Sequence, residues 1–303
     1  MAFLRSFGCF LPERIVPNSE IAARIGKTAE WIEEISGIRE RRWAGADVLV
    51  SDLAVAAAHD CLGKGGLSSS DIGMIIVSSG SSERRFPGPA SVVGQRLGVP
   101  GVPCLDVPIA SAGSLFAMSL ASRVAEVYGN VLVVAAEKMS AVVDREPMDL
   151  NTGILFGDGA GACLISAETG RLRIVDSVLH SDGSYADDLK LGLEGGLQMN
   201  GMPVIMQASR KMPAAINEIL AKHSIAAETI DRFVMHQANQ NLINRVAKSV
   251  GVPAERFYTN IAKYGNTSSA SMLIAASECW MDARSICFAT FGAGFHWGAL
   301  LAA

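Results

Sequence analysis

The sequence is short of charge, of aromatic residues and of long apolar runs. Charged residues fill 18% and aromatics 6% of its 303 positions, and the formal net charge is −4. That balance has no basic excess to attract nucleic acid or an anionic membrane, so neither partner is expected. No stretch approaches the roughly 18 apolar residues a membrane helix needs. The six cysteines, Cys9, Cys61, Cys104, Cys163, Cys279 and Cys287, include no C-x-x-C pair and have no His cluster beside them. They read as buried thiols of a reducing compartment, and no metal site is expected. The start, MAFLRSFGCFLPERIVP, meets Arg5, Glu13 and Arg14 before any long apolar run. It is not read as a secretory signal, and a cytoplasmic location is expected. The Gly-rich FGDGAG (156–161) and FGAGFHWG (291–298) match neither the dinucleotide nor the phosphate-loop pattern, so nucleotide binding is not expected from them.

What the sequence has is apolar mass and an internal echo. Half the residues are hydrophobic, enough for one large domain or two ordinary ones with an extensive core. Short β-rich runs alternate with longer helical stretches, which argues for α/β layers. SSSDIGMIIVSSGSS (68–82) and AAETIDRFVMHQANQ (226–240) share one plan, an acidic entry into a strand followed by small polar residues. Each precedes a helix ending in a common phrase, SVVGQRLGVP (91–100) and NRVAKSVGVP (244–253). A strand, a small-residue turn, a helix and a final strand follow in both places. The chain therefore reads as two copies of one unit, 1–168 and 169–303, with sheets packed face to face around shared helices. Turns after equivalent strands should converge near the pseudo-twofold axis.

Ser111, His236 and Asn266 all lie on such turns. Ser111 stands where a strand runs into a helix, where the dipole and free N–H groups favour a developing anion. An N-cap is the simpler account of that segment alone. His236 heads HQANQNLI, a polar cluster after a buried strand, where the cost of burial normally excludes polarity. Asn266, in KYGNTSSAS, is by itself an ordinary turn residue; opposite a nucleophile it would donate to a substrate carbonyl. The backbone N–H groups of 292–294 are candidates for an oxyanion hole. His59, His180, His223 and His296 have no comparable setting.

DVPIASAG, FGDGAG, HQAN, YGNTSSAS and FGAGFHWG, in that order, resemble the β-ketoacyl-acyl carrier protein synthase III family, and TAEWIEEISGIRERR (28–42) fits it too. The likeness spans nearly the whole chain. It implies a thiolase-like five-layer αβαβα sandwich, a homodimer and a Cys-His-Asn site. There an acyl group is loaded on Cys and attacked by the carbanion of decarboxylated malonyl-acyl carrier protein. His236 and Asn266 match the residues that hold the malonyl thioester carbonyl, and the N–H groups of Ser111 and Ala293 match the oxyanion hole. Trp31 matches the aromatic that stacks on the adenine of coenzyme A. Phe86 matches a residue that crosses the dimer to line the partner's acyl pocket, and Phe291 is assigned to substrate binding. No cofactor is implied, since coenzyme A or a carrier protein brings the thioester as substrate.

The departures are as informative. Ser111 replaces the family's Cys, and an alcohol cannot ionise near neutral pH as a thiol at a helix N-terminus does. It needs a base, for which His236 is the visible candidate. Ile35 and Leu150 stand where two coenzyme-binding arginines are usual, and Met206 and Asn241 where basic residues dock the carrier protein. Arg210, Lys211, Arg245 and Lys248 lie close enough to substitute. Three readings follow: an acyltransferase on acyl thioesters in fatty acid or secondary-metabolite biosynthesis, a non-catalytic subunit pairing with an active paralogue, or an engineered Cys-to-Ser form of an active synthase. A hydrolase ranks last, because no acid orients His236. The segment 181–204, Gly-rich and irregular, is expected to cover the pocket mouth.

Overall fold

In the computed structural model, residues 1–192 and 194–303 are described. The first half of the chain runs β1 (Phe3–Phe10), β2 (Ile15–Pro17), α1 (Asn18–Ile25), α2 (Ala29–Ser36), β3 (Glu40–Arg42) and α3 (Val50–Gly65). It continues through β4 (Met74–Ser78), α4 (Pro89–Arg96), β5 (Cys104–Val107), α5 (Gly113–Tyr128), β6 (Asn130–Lys138), α6 (Ser140–Val143) and β7 (Asp158–Ser166). The second half is β8 (Leu172–Ser181), β9 (Leu189–Leu191), β10 (Leu197–Met199), α7 (Gly201–Lys222), β11 (Arg232–Met235) and α8 (Gln240–Val250). It ends with β12 (Phe257–Tyr258), α9 (Ile261–Tyr264), α10 (Ser271–Cys279), β13 (Ile286–Gly292) and β14 (His296–Ala302).

The duplication read from sequence is present as topology. One set of five strands runs β5-β4-β6-β7-β1, and the other runs β12-β11-β13-β14-β8. In each, the first three strands are parallel and the fourth, β7 or β14, runs antiparallel to both its neighbours. The sets are not separate sheets, because β1 and β8 pair antiparallel at Phe3↔Arg173 and Leu4↔Leu172 and join all ten strands. The 168/169 division falls between β7 and β8.

Layering follows from which helices are apolar all round. Helices α5 and α10 pack between the two halves of the sheet, α3 and α4 cover one outer face, and α7 and α8 cover the other. The fold is thus the thiolase-like α/β sandwich. Its central core brings Phe7, Leu115, Met118 and Val133 against Leu273, Phe288 and Leu300. A helix wedged between sheets can expose no polar face, and GSLFAMSLA and SMLIAA carry only small or apolar side chains and hydroxyls. Close packing also demands a bare backbone in β7: a Cβ on Gly161 would lie 2.8 Å from Ile274 N in α10.

Two expectations need correction. The segment 181–204 is not irregular throughout: β9 and β10 pair antiparallel within it, Leu189 with Met199 and Leu191 with Leu197. The cysteines are all free, but Cys9 and Cys104 are only half-buried, because both lie on strand ends near the surface. Among the described residues no helix is long and apolar enough to cross a membrane, and no group of His, Cys, Asp and Glu side chains is placed to hold a metal.

Candidate active site

Ser111 does not cap a helix. Ala112 occupies the N-cap of α5, and Ser111 sits one residue earlier with φ +63°, in the left-handed region that L side chains seldom adopt. Small neighbours permit the sharp turn. Gly113 lies on Ser78, where a Cβ would approach Ser78 Oγ to 2.0 Å, and Gly292 lies on the turn itself, where a Cβ would meet Ala110 O at 2.1 Å. The β13–β14 turn is thereby pressed against the Ser111 turn.

His236 follows β11 directly, and its backbone N–H bonds to Ala289 O of β13. Its side chain is buried, and burial pushes the imidazole down to about 4, against a hydrogen bond to the Ser268 backbone that raises it. The ring is therefore neutral at pH 7. Ser271 Oγ lies 2.7 Å from Nδ1 and accepts the Gln237 N–H at 3.0 Å. A hydroxyl that accepts one N–H can either donate to Nδ1 or accept from it; with Ser271 assigned as the donor, the proton of the neutral ring sits on Nε2.

Asn266 is held at both backbone groups. Its N–H bonds to Leu155 O at 2.8 Å, and its C=O accepts the Gly157 N–H at 3.1 Å. Behind that segment the wholly buried Arg41 donates to Ile154 O, Val16 O and Asn18 Oδ1. Asn266 Oδ1 accepts the Ser268 N–H at 2.8 Å, so its amide NH2 is the end left for a ligand.

Ser111, His236, Asn266 and Phe291 line one cavity of about 100 Å³, with apolar residues of α7, Asn239 and Leu242 at the start of α8, Leu189 and Met199 of the hairpin, and Leu155 and Phe156 among its other walls. A second, smaller cavity of about 50 Å³ meets it at Ser111 and is lined by Gly80, Met139, Leu191, Leu197, Ser268 and Ala293. Two neutral donors and one hydroxyl thus face an apolar chamber with two arms, which suits polarising a carbonyl bound there.

Not every candidate residue joins this group. Trp31, on α2, is outside both cavity walls, with the Lys27 ammonium 5.2 Å from its ring centroid. Phe86 is 85% exposed and reaches neither cavity within its own chain. Lys211 is not available for docking: its side chain is 19% exposed, its ammonium lies 3.7 Å from the Trp297 ring centroid, and it pairs with Asp182. Arg210, Arg245 and Lys248 are exposed on α7 and α8. The proton transfer expected from Ser111 to His236 has no hydrogen bond behind it, because the imidazole is engaged by Ser271 and the Ser268 backbone. Among the described residues nothing hydrogen-bonds Ser111 Oγ.

Sequence reading missed Ser268, Ser271 and Glu137. The signal was the hydroxyl run in GNTSSAS, of which Asn266 alone was singled out. Glu137, buried at the end of β6, accepts from Gly80 N, Ser81 Oγ and both the N–H and hydroxyl of Ser269. It ties the turn before α10 to the N-terminal half of the sheet.

Comparison with known proteins finds relatives along nearly the whole chain. The profile for 3-oxoacyl-(acyl-carrier-protein) synthase III matches residues 105–183, and that for the C-terminal part of the same enzyme matches 220–303. The chain is similar to β-ketoacyl-(acyl-carrier-protein) synthase III of Staphylococcus saprophyticus, 35% identical with 98% of this chain and 97% of that protein covered. Among solved structures, 3-oxoacyl-(acyl-carrier-protein) synthase III of Aquifex aeolicus superposes with a TM-score of 0.94 at 31% identity, covering 100% of this chain and 99% of the other. The priming β-ketosynthase of the R1128 polyketide pathway superposes with a TM-score of 0.92 at 28% identity, covering 100% and 96%.

Proposed function

The chain belongs to the 3-oxoacyl-(acyl-carrier-protein) synthase III family of condensing enzymes, and from that membership we propose an acyltransferase in which Ser111 accepts the acyl group of an acyl-CoA or acyl carrier protein thioester. The observation that carries the reading is the meeting of Ser111, His236 and Asn266 in one apolar cavity. Ser111 Oγ attacks the thioester carbon, the C–S bond breaks, and the Ser111 proton leaves with the thiol. His236 is no base in this scheme, since its Nε2 carries the proton. With the Asn266 NH2 it donates to the carbonyl oxygen of the second, incoming thioester, whereas the oxygen of the acyl group being loaded faces the Ser111 and Ala293 turns.

The hydroxyl sets the limits. Oxygen without a hydrogen-bonded base is a slow nucleophile, so loading is slower than on a thiol and carbon–carbon condensation from the resulting ester is slower still. Transfer to another acceptor in secondary metabolism is the product chemistry this favours. The carrier docks on the exposed cations Arg210, Arg245 and Lys248. The chain pairs as a homodimer through the β5 edge, with Phe86 reaching the partner. The missing base also gives the non-catalytic alternative its one structural argument, so the test must separate the two.

Intact mass spectrometry does so. Wild type, Ser111→Ala and Ser111→Cys are incubated with acyl-CoA and acyl-carrier donors. The expected result is one acyl mass on wild type, none on Ser111→Ala, and loading more than about tenfold faster on Ser111→Cys, a difference of at least ~1.4 kcal/mol in the barrier. A wild-type protein that takes no acyl group from any donor overturns the proposal.

A further inference from the structure

Ser268 touches all three residues of the site. Its hydroxyl accepts the Ser111 backbone N–H at 3.1 Å, its own N–H goes to Asn266 Oδ1, and its backbone lies beside the His236 ring, where it favours the protonated imidazole. It is also strained. The non-glycine residues with positive φ among those described are Ser111, Ser224 and Ser268, at +63°, +54° and +47°. Two of the three are thus bonded to each other across 157 residues of sequence. Left-handed backbone at a non-glycine residue costs about 1–3 kcal/mol and persists only where surrounding structure enforces it.

The consequence concerns the oxyanion hole. If the Ser111 N–H is to receive the acyl oxygen, it must be free, and here the Ser268 hydroxyl holds it. That hydroxyl accepts from Ser111 and retains one proton, for which no acceptor exists among the described residues. Ser268 lines the smaller cavity together with Ser111 and Ala293. We propose that the Ser268 hydroxyl is itself an oxyanion donor, polarised by the Ser111 N–H behind it and giving its free proton to the carbonyl oxygen of the group being loaded on Ser111. With the Ala293 N–H it completes the hole. In the step the bond from Ser111 Oγ to the acyl carbon forms and the C–S bond breaks, and the Ser111 proton leaves with the thiol. Ser268 gains and loses no atom; its hydrogen bond shortens as charge grows on oxygen.

The inference rests on the acyl-enzyme reading above, and the test separates the two. Acyl-Ser111 formation is timed by intact mass with acetyl-CoA and octanoyl-CoA for wild type, Ser268→Ala and Ser268→Gly. Glycine removes the hydroxyl and also relieves the backbone strain, so it guards against a loss due to misfolding. Both variants should load about 100-fold more slowly, at an unchanged half-saturating donor concentration. Their acyl ester should show its infrared carbonyl band at higher frequency than wild type, because a donor to that oxygen is gone. Loading at or above the wild-type rate in either variant, or an unmoved carbonyl band, overturns the role of Ser268 alone. No adduct on wild type overturns the acyl-enzyme reading and this inference with it.

Discussion

At the scale of single residues, His236 has no carboxylate beside it, and what governs its charge is burial. The folded ring sits near 4, against 6.5 for an exposed imidazole. Between those values the unfolded chain binds a proton that the folded chain refuses. Stability therefore rises with pH across this window, is complete above about 6.5, and is lost as pH falls toward 4. The loss is on the order of 3 kcal/mol. Urea unfolding at pH 7.5 and pH 4.5 should show it in wild type and show less of it in His236→Gln. The acid limb of the loading reaction should fall near pH 4. A limb at 6.5 would mean a ring that titrates like an exposed imidazole and would contradict its burial.

At the scale of elements, the site is made where turns from both halves press on one another. The β13–β14 turn meets the turn before α5 with no room for a side chain, since a Gly292 Cβ would lie 2.1 Å from Ala110 O and 2.6 Å from Ala112 N. Both atoms are backbone and cannot step aside. Gly292→Ala should cost about 1–3 kcal/mol, visible as a lower Tm. It should also slow loading of Ser111 beyond what that stability loss explains, because it moves the Ala293 N–H. A variant with wild-type Tm and wild-type loading would show that the two turns do not set each other's position. Sequence reading placed these turns correctly, since strands, small-residue turns and helices each leave a periodic signature. It misassigned the cap of α5 and the hairpin over 189–199, because both depend on which backbone groups find partners at a distance.

At the scale of the whole molecule, several of the residues exposed near the cavity are apolar. Met202 and Met206 are exposed on the first turns of α7, beside the cavity-lining Gly201 and Val204. Ile35 is exposed too, and its carbonyl accepts the amide of the cavity-lining Asn239. Leu150 is exposed in the segment leading to Leu155. A charge-assisted contact to a phosphate is worth ~1.5–3 kcal/mol, so a cationic rim would favour coenzyme A over its pantetheine arm by tenfold or more. Here the acyl-pantetheine thioester should load Ser111 with a kcat/KM within about threefold of the acyl-CoA, measured side by side. A tenfold preference for the coenzyme would locate a phosphate site that the exposed rim does not provide.

The amino-acid sequence by itself determined the duplicated α/β plan, because apolar periodicity and the repeated turn phrases are local properties of the chain. It also marked Ser111, His236 and Asn266, whose polarity stands out against buried surroundings. Tertiary structure decided what those side chains can do. That the His236 ring is neutral follows from its burial, that Ser271 holds its Nδ1 follows from the packing of α10, and that the amide end of Asn266 is free follows from Ser268. Lys211 is withdrawn from the surface by Trp297 and Asp182. Each is a hydrogen bond or contact between residues whose meeting no local pattern encodes, since their spacing is set by how the two halves of the sheet and three layers of helices close on one another.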